Sequence, residues 1–135
     1  MIVSMHVASG AAAGALAGTR RRALVLGPLL HALGDRIPHR DIASRRFEIG
    51  SGLVLLGAVA GATGPFSPAV VGGIASSAPD LEHVLRLPRP GGRKLFPSHR
   101  VKGWHRAGGA PAWLQLLVAG ALVGGVVGAA GRRAR

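Results

Sequence analysis

The chain alternates between apolar stretches and short basic ones. Met1–Gly18 is apolar apart from Ser4, His6 and Ser9, and Arg20-Arg21-Arg22 closes it. Ala23–Asp35 is a second, shorter apolar segment with Gly27-Pro28 inside. Ile49–Pro79 and Ala107–Gly131 carry no charged residue at all. Uncharged apolar runs of about 18 residues or more read as membrane spans, because about 20 helical residues cross the hydrocarbon core. Gly64-Pro65-Phe66-Ser67-Pro68 interrupts the first long run, which therefore predicts a helical hairpin rather than one crossing. The pattern predicts an all-α fold, a polytopic membrane helical bundle of four to five short helices. They fall at 2–19, 22–36, 48–63, 68–79 and 110–131, with a basic, histidine-containing polar loop over 81–109, and the 135 residues form one domain.

Two helix faces are lined with small residues, Gly10-x-x-x-Gly14-x-x-x-Gly18 and Gly57-x-x-x-Gly61. Such faces let another backbone approach closely, within the chain or between chains of an oligomer. Pro38 ends the second helix, because it lacks a donor and drives Ile37 out of the helical region.

Charge sharpens the membrane reading. Seventeen Lys and Arg stand against five Asp and Glu, for a formal charge of +12. The basic residues fall in the gaps between apolar runs, as flanking charges do in membrane proteins. The basic loops suit anionic lipid headgroups. Aromatic residues make up only 4%, which argues against nucleic acid as a partner, since stacking platforms are missing. If loops 36–48 and 81–109 share the cytoplasmic side, eleven of the seventeen Lys and Arg lie there, in keeping with the positive-inside bias. The expected location is the cell membrane, multi-pass. With no cysteine, disulfides and thiolate ligands are excluded, so any metal is held by histidine and carboxylate.

The chemistry-bearing residues cluster in a few short segments. His31 and Asp35 are i and i+4 on one helix face, and His39 and Asp41 follow the helix end. Asp80-Leu-Glu-His83 puts Asp80 and His83 one turn apart, although Asp80 and Glu82 also suit the start of a helix. Ser98-His99-Arg100 and Trp104-His105-Arg106 add two imidazoles flanked by arginines. Four of the five acids lie within four residues of a histidine. Ionisable groups near membrane depth are costly unless paired and tend to mark function. The candidate ligands are His6, His31, His39, Asp80, His83, His99 and His105. Asp35, Glu82 and Arg100 are the candidate catalytic groups, the acids as general base and the arginine for a developing phosphoryl charge.

Four segments together carry a family likeness: His6 in a small-residue helix, His31-x-x-x-Asp35-x-x-Pro38-His39, Pro79-Asp80-x-Glu82-His83, and His99-Arg100 with His105. In these the chain resembles the bacterial inner-membrane proteins labelled membrane-bound metal-dependent hydrolases. It departs from that pattern in three ways. Glu82 stands where Asp is usual, His99 to His105 is one residue longer than the common spacing, and Trp104 and Arg106 replace Thr and Ser. The resemblance implies a multi-helix membrane protein with a divalent metal, zinc by preference, that hydrolyses a phosphoester or lipid-like substrate. The alternative is a non-enzymatic multi-pass membrane protein whose polar cluster fixes helix ends and whose basic loops grip lipid or a partner.

Overall fold

A computed structural model describes residues 1–135. Seven α-helices follow one another: α1 (Val3–Ala17), α2 (Arg20–Arg36), α3 (Arg45–Thr63), α4 (Pro68–Ser77), α5 (Leu81–Val84), α6 (Pro97–Arg100) and α7 (Ala112–Arg133). Two 3-10 turns, Ala78–Asp80 and Pro90–Gly92, complete the order. The structure is all-helical, and its only sheet-like pairing is a pair of isolated bridges from His39 to Ala107 and Ala110. The 81–109 segment, expected as loop throughout, holds the four-residue helices α5 and α6.

Local chemistry explains the boundaries. Thr19, Ser44 and Ser67 precede α2, α3 and α4, and each side chain accepts a hydrogen bond from a first-turn amide, of Arg22, Phe47 and Val70. α2 stops at Arg36 because Ile37, before Pro38, is extended. Pro28 lies inside α2 without ending it. The turn after α3 uses Gly64 at φ 89°, and Pro68 occupies the first turn of α4, where its missing N–H costs nothing.

Only α7 combines the length and apolarity needed to cross a membrane. Its 22 residues span about 33 Å. α1 is apolar but has 15 residues, about 22 Å, short of a full hydrocarbon core. One helix is therefore long and apolar enough to cross a membrane, and the five-helix membrane arrangement expected from the apolar runs is not carried by helix length.

Three stripes at four-residue spacing organise the packing. α1 presents His6, Gly10 and Gly14; α2 presents Gly27, His31 and Asp35; α4 and its extension present Pro68, Gly72, Ser76 and Asp80. α4 sits against both α1 and α2, and the small residues set how closely. A Cβ on Gly10 would lie 2.3 Å from the Gly72 carbonyl oxygen, and one on Gly72 would lie 2.2 Å from the Gly10 carbonyl oxygen. A Cβ on Gly27 would meet that of Ala75 at 2.6 Å. Each stripe runs from small residues to a polar one at the same end of the bundle. Close packing along the stripes thus delivers His6, His31, Asp35 and Asp80 to one place.

The apolar core is small: Ala8, Ala11, Val59, Val70, Ala119, Val123 and Val126 bring α3 and α7 onto α1 and α4. Much apolar surface stays uncovered, including Leu24, Val25, Leu29 and Leu33 on α2 and Leu53 and Val54 on α3. The Gly57 and Gly61 face of α3 meets nothing within 4 Å, unlike the Gly10 and Gly14 face.

Candidate metal centre

Asp35 is the hub of the polar end and is 1% exposed. Its Oδ1 accepts from the Met1 amino group at 3.0 Å and from His6 Nε2 at 3.2 Å. Its Oδ2 accepts from Ser98 Oγ at 2.8 Å. His31 Nε2 stands 3.1 Å and His99 Nε2 3.4 Å from the same Oδ2. The two imidazole nitrogens are 3.1 Å apart, and Asp80 Oδ1 lies 3.8 Å from each.

The far side of each ring decides what these nitrogens can do. His31 Nδ1 meets the Ser76 carbonyl oxygen at 2.8 Å. A carbonyl only accepts, so Nδ1 carries the proton and, in the neutral ring, Nε2 presents a lone pair. His99 Nδ1 donates in the same way to Glu82 Oε1. Two imidazole lone pairs and the Asp35 carboxylate oxygen therefore converge on a common point, with Asp80 Oδ1 a little farther off at 3.8 Å from each ring nitrogen, an arrangement that favours a positive charge among them. A tetrahedral ion with bonds of about 2.0–2.1 Å separates its ligands by about 3.3 Å, close to the spacings here. Ligand histidines whose second nitrogen donates to a carbonyl or carboxylate are the usual support for a bound metal. The buried Asp80 Oδ2 has no hydrogen-bond partner, which leaves that carboxylate free of competing obligations. His31, Asp35 and His99 fit a divalent cation, with Asp80 beside the two imidazoles as a further donor.

Glu82 plays a different part from the general base expected of it. It is 3% exposed, and its two oxygens take the amides of Leu95 (2.6 Å) and Phe96 (3.4 Å) as well as His99 Nδ1. Both oxygens are thus committed to the loop and to His99, and the residue does not line the cavity that opens on the site. Burial alone would raise its pKa, but the hydrogen bonds from His99, Leu95 and Phe96 outweigh burial and hold it below the usual range. Asp80 has no such support, and burial pushes its pKa up to about 6. Burial lowers the His99 pKa, yet Asp35 and Glu82 together leave it raised above the ordinary histidine value.

The remaining candidates surround this centre. His6 stacks on His31 with ring centroids 4.0 Å apart and donates to Asp35, so it orients two of the converging groups. His83 is an exposed neighbour of His99, at 4.4 Å between centroids, and accepts from Lys94 Nζ at 3.4 Å. Burial, His99 and Lys94 push it down to about 4. Arg100 is exposed and shares an open cleft with Arg93, Lys94 and His99. His39 and His105 sit together on the other side of Asp35, with His105 Nε2 3.7 Å from Asp35 Oδ1.

A cavity of about 450 Å³ opens on the site, with Asp80, His83, His99 and His105 in its wall beside Arg45 and Lys94. The chain matches no protein-family model, no curated protein and no solved structure.

Two supporting residues escaped the sequence reading. Ser98, 2% exposed, bonds to Asp35; the hint was its place directly before His99. Gln115 is 4% exposed, takes the Ile2 amide on Oε1 and donates through Nε2 to the carbonyls of Arg40 and Ala110. It is the one amide side chain in the uncharged Ala107–Gly131 run, and a lone polar group in such a run was its signal. Trp104 donates its Nε1 proton to the Ala32 carbonyl at 2.8 Å and lies under Arg36.

Proposed function

We propose that this chain is a multi-pass membrane-embedded, metal-dependent hydrolase that acts on a phosphoester of an amphiphilic, lipid-like substrate. The observation that carries the reading is the convergence of His31 Nε2, His99 Nε2 and Asp35 Oδ2, with Asp80 Oδ1 3.8 Å from both rings and each imidazole braced from behind by an acceptor. The likeness to membrane-bound metal-dependent hydrolases, in the four segments that supply these residues, points the same way. Membrane immersion is supported by the uncovered apolar flanks of α2 and α3 and by α7, whose Trp113, Leu117 and Val118 face outward.

His31, His99, Asp35 and Asp80 would hold the cation, zinc by preference for two imidazoles and two carboxylates. Such an ion supplies Lewis-acid activation of water and neutralises developing charge. The chain's own groups do the rest. Glu82 and the Ser76 carbonyl fix the two rings, and Ser98 and His6 fix the Asp35 carboxylate. Arg45 and Lys94 in the cavity, with Arg93 and Arg100 in the adjoining cleft, attract an anionic phosphoryl group. His83 lines the cavity as a neutral imidazole whose Nδ1 accepts from Lys94 and so helps to place that ammonium. An apolar cleft of about 230 Å³ between α3 and α4, walled by Val7, Leu53, Leu56 and Ile74, ends at Asp80 and suits an acyl tail.

The test is the metal content of detergent-purified protein beside His31→Ala and Asp80→Ala. Bound zinc in the wild type, lost in both variants, followed by zinc-dependent hydrolysis of phosphodiesters or phospholipids in mixed micelles, is the expected result. No bound metal after incubation with zinc would overturn the reading and favour a non-enzymatic protein whose basic loops hold lipid headgroups.

A further inference from the structure

The histidines beyond the first centre fall into a group of their own. His39 is 2% exposed, and its Nδ1 donates to the Ile37 carbonyl at 2.6 Å, which leaves the lone pair on Nε2. That Nε2 is buried and has no hydrogen-bond partner. Asp41 Oδ1 lies 3.2 Å away without making a hydrogen bond to it, so a lone pair and a carboxylate oxygen stand close together with nothing positive between them. The His105 ring stands edge-on to His39 at 4.5 Å between centroids, and one atom from each of His39, Asp41 and His105 lies within 4.8 Å of the others.

This grouping is built by the backbone. His39 N donates to the Arg106 carbonyl at 3.2 Å, Arg40 N to that of Ala110 at 3.0 Å, and Ala110 N to that of Pro38 at 3.0 Å. Gly109, at φ +73°, permits the crossing, because a Cβ there would lie 2.3 Å from the Pro38 carbonyl oxygen. The residues after α2 and the residues before α7 are thus laced together, and the lacing puts His39 and His105 side by side.

We propose that His39, Asp41 and His105 form a second divalent-cation site, distinct from the His31–Asp35–His99–Asp80 centre and facing the same cavity. Two imidazoles and one carboxylate suit zinc or another borderline divalent ion and leave further coordination positions open. Asp41 and His105 both line the cavity that Asp80, His83 and His99 line. Asp35 stands between the two sites, with Oδ2 toward the first and Oδ1 3.7 Å from His105 Nε2. Asp41 is 65% and His105 44% exposed, so the second site is the weaker and faster-exchanging of the two. It deepens the hydrolase reading into a two-cation one, but its residues are separate, so each can fail without the other.

The experiment is equilibrium dialysis of the detergent-purified protein against increasing zinc, read by elemental analysis. A cobalt titration followed by visible absorption gives an independent record of each site. The wild type is expected to bind two ions in two steps. Asp41→Asn and His105→Ala, both at exposed side chains, are expected to bind one, with the tighter step unchanged. His31→Ala is expected to lose the tighter step and keep the weaker. A single ion in the wild type, unaffected by Asp41→Asn or His105→Ala, would overturn the second site and leave the first standing. Two ions retained in both variants would overturn it equally.

Discussion

Glu82 offers the sharpest probe of the centre, because it acts on the cation through one ring alone. In Glu82→Gln the side chain keeps its length and one oxygen, but the other becomes an NH2. The wild-type carboxylate receives three donors, from His99 Nδ1 and the amides of Leu95 and Phe96. An amide in its place must turn either its NH2 toward a donor or its single oxygen away from one, and the charge that assists the His99 bond disappears. His99 then loses the fixed Nδ1–H tautomer that presents a lone pair at Nε2. Removing such a support behind a ligand histidine weakens metal binding by about 10–100-fold, which corresponds to about 1.4–2.8 kcal/mol. The bond to His99 is buried and charge-assisted, so the upper half of that range is expected.

The assay is competition for zinc with a chromophoric chelator, wild type against Glu82→Gln. The 15N shifts of the His99 ring in the metal-free protein, recorded above its raised pKa where the ring is neutral, provide a second readout. A residue that merely packs the loop would leave the tautomer unchanged; the reasoning requires a shift away from pure Nδ1–H. Zinc affinity within threefold of wild type, with the His99 tautomer unaltered, would refute the assignment of Glu82 as the positioning residue.

Three further outcomes follow from the same geometry. Gly10→Ala drives a Cβ to 2.3 Å from the Gly72 carbonyl oxygen and 2.5 Å from Ser76 Cβ, so α1 and α4 must part, at about 1–3 kcal/mol. Thermal unfolding in detergent should show a clear loss there, and none in Gly61→Ala, where nothing lies within 4 Å and the helix former gains about 0.5–1 kcal/mol; equal losses in both would count against close α1–α4 packing. Zinc binding must displace protons from Asp80, raised to about 6, and from His99, raised above its ordinary value. The logarithm of the apparent affinity should therefore climb with a slope near two below pH 6, fall to near one above it, and level off past the His99 pKa. A pH-independent affinity over pH 5–7 would exclude both as ligands. In the metal-free protein the sign reverses: both raised pKa values add stability at low pH. The Asp80 share is lost as pH rises from 3.8 through about 6 and the His99 share as pH passes its folded value, while the lowered His83, His105 and Glu82 act in the opposite sense. The Asp80 share is therefore read as a difference: chelated Asp80→Asn should lose less stability between pH 4 and pH 6 than chelated wild type.

The helices were legible because apolar runs, prolines and capping residues act locally. α2 was expected at 22–36 and lies at Arg20–Arg36, displaced only at the start, where Thr19 rather than the arginine triplet sets the boundary. The short helices α5 and α6 were not legible. Four-residue helices carry no periodicity, and these two are held by contacts distant in sequence, such as Glu82 to Leu95 and Ser98 to Asp35. The clustering of histidine with carboxylate was visible in the spacing, but roles were not. Whether an acid binds a cation or braces a ligand depends on what lies behind it, and Glu82 and Asp80, two residues apart, divide on that point.

One regularity connects fold and site. In α1 and α2 the histidine sits four residues from a glycine that allows close helix approach, His6 from Gly10 and His31 from Gly27, while α4 continues from Gly72 through Ser76 to Asp80. Close approach is where backbones leave no room for side chains, and one turn further along the same stripes the helices end and the side chains meet. The small-residue faces therefore do more than pack the bundle: they aim its ionisable groups. This also explains why the apolar core is so slight beside them. α1, α2 and α4 are held by backbone contact along their stripes and much of α2, α3 and α7 is left apolar and uncovered, while the polar end is ordered from within by Asp35 and its partners.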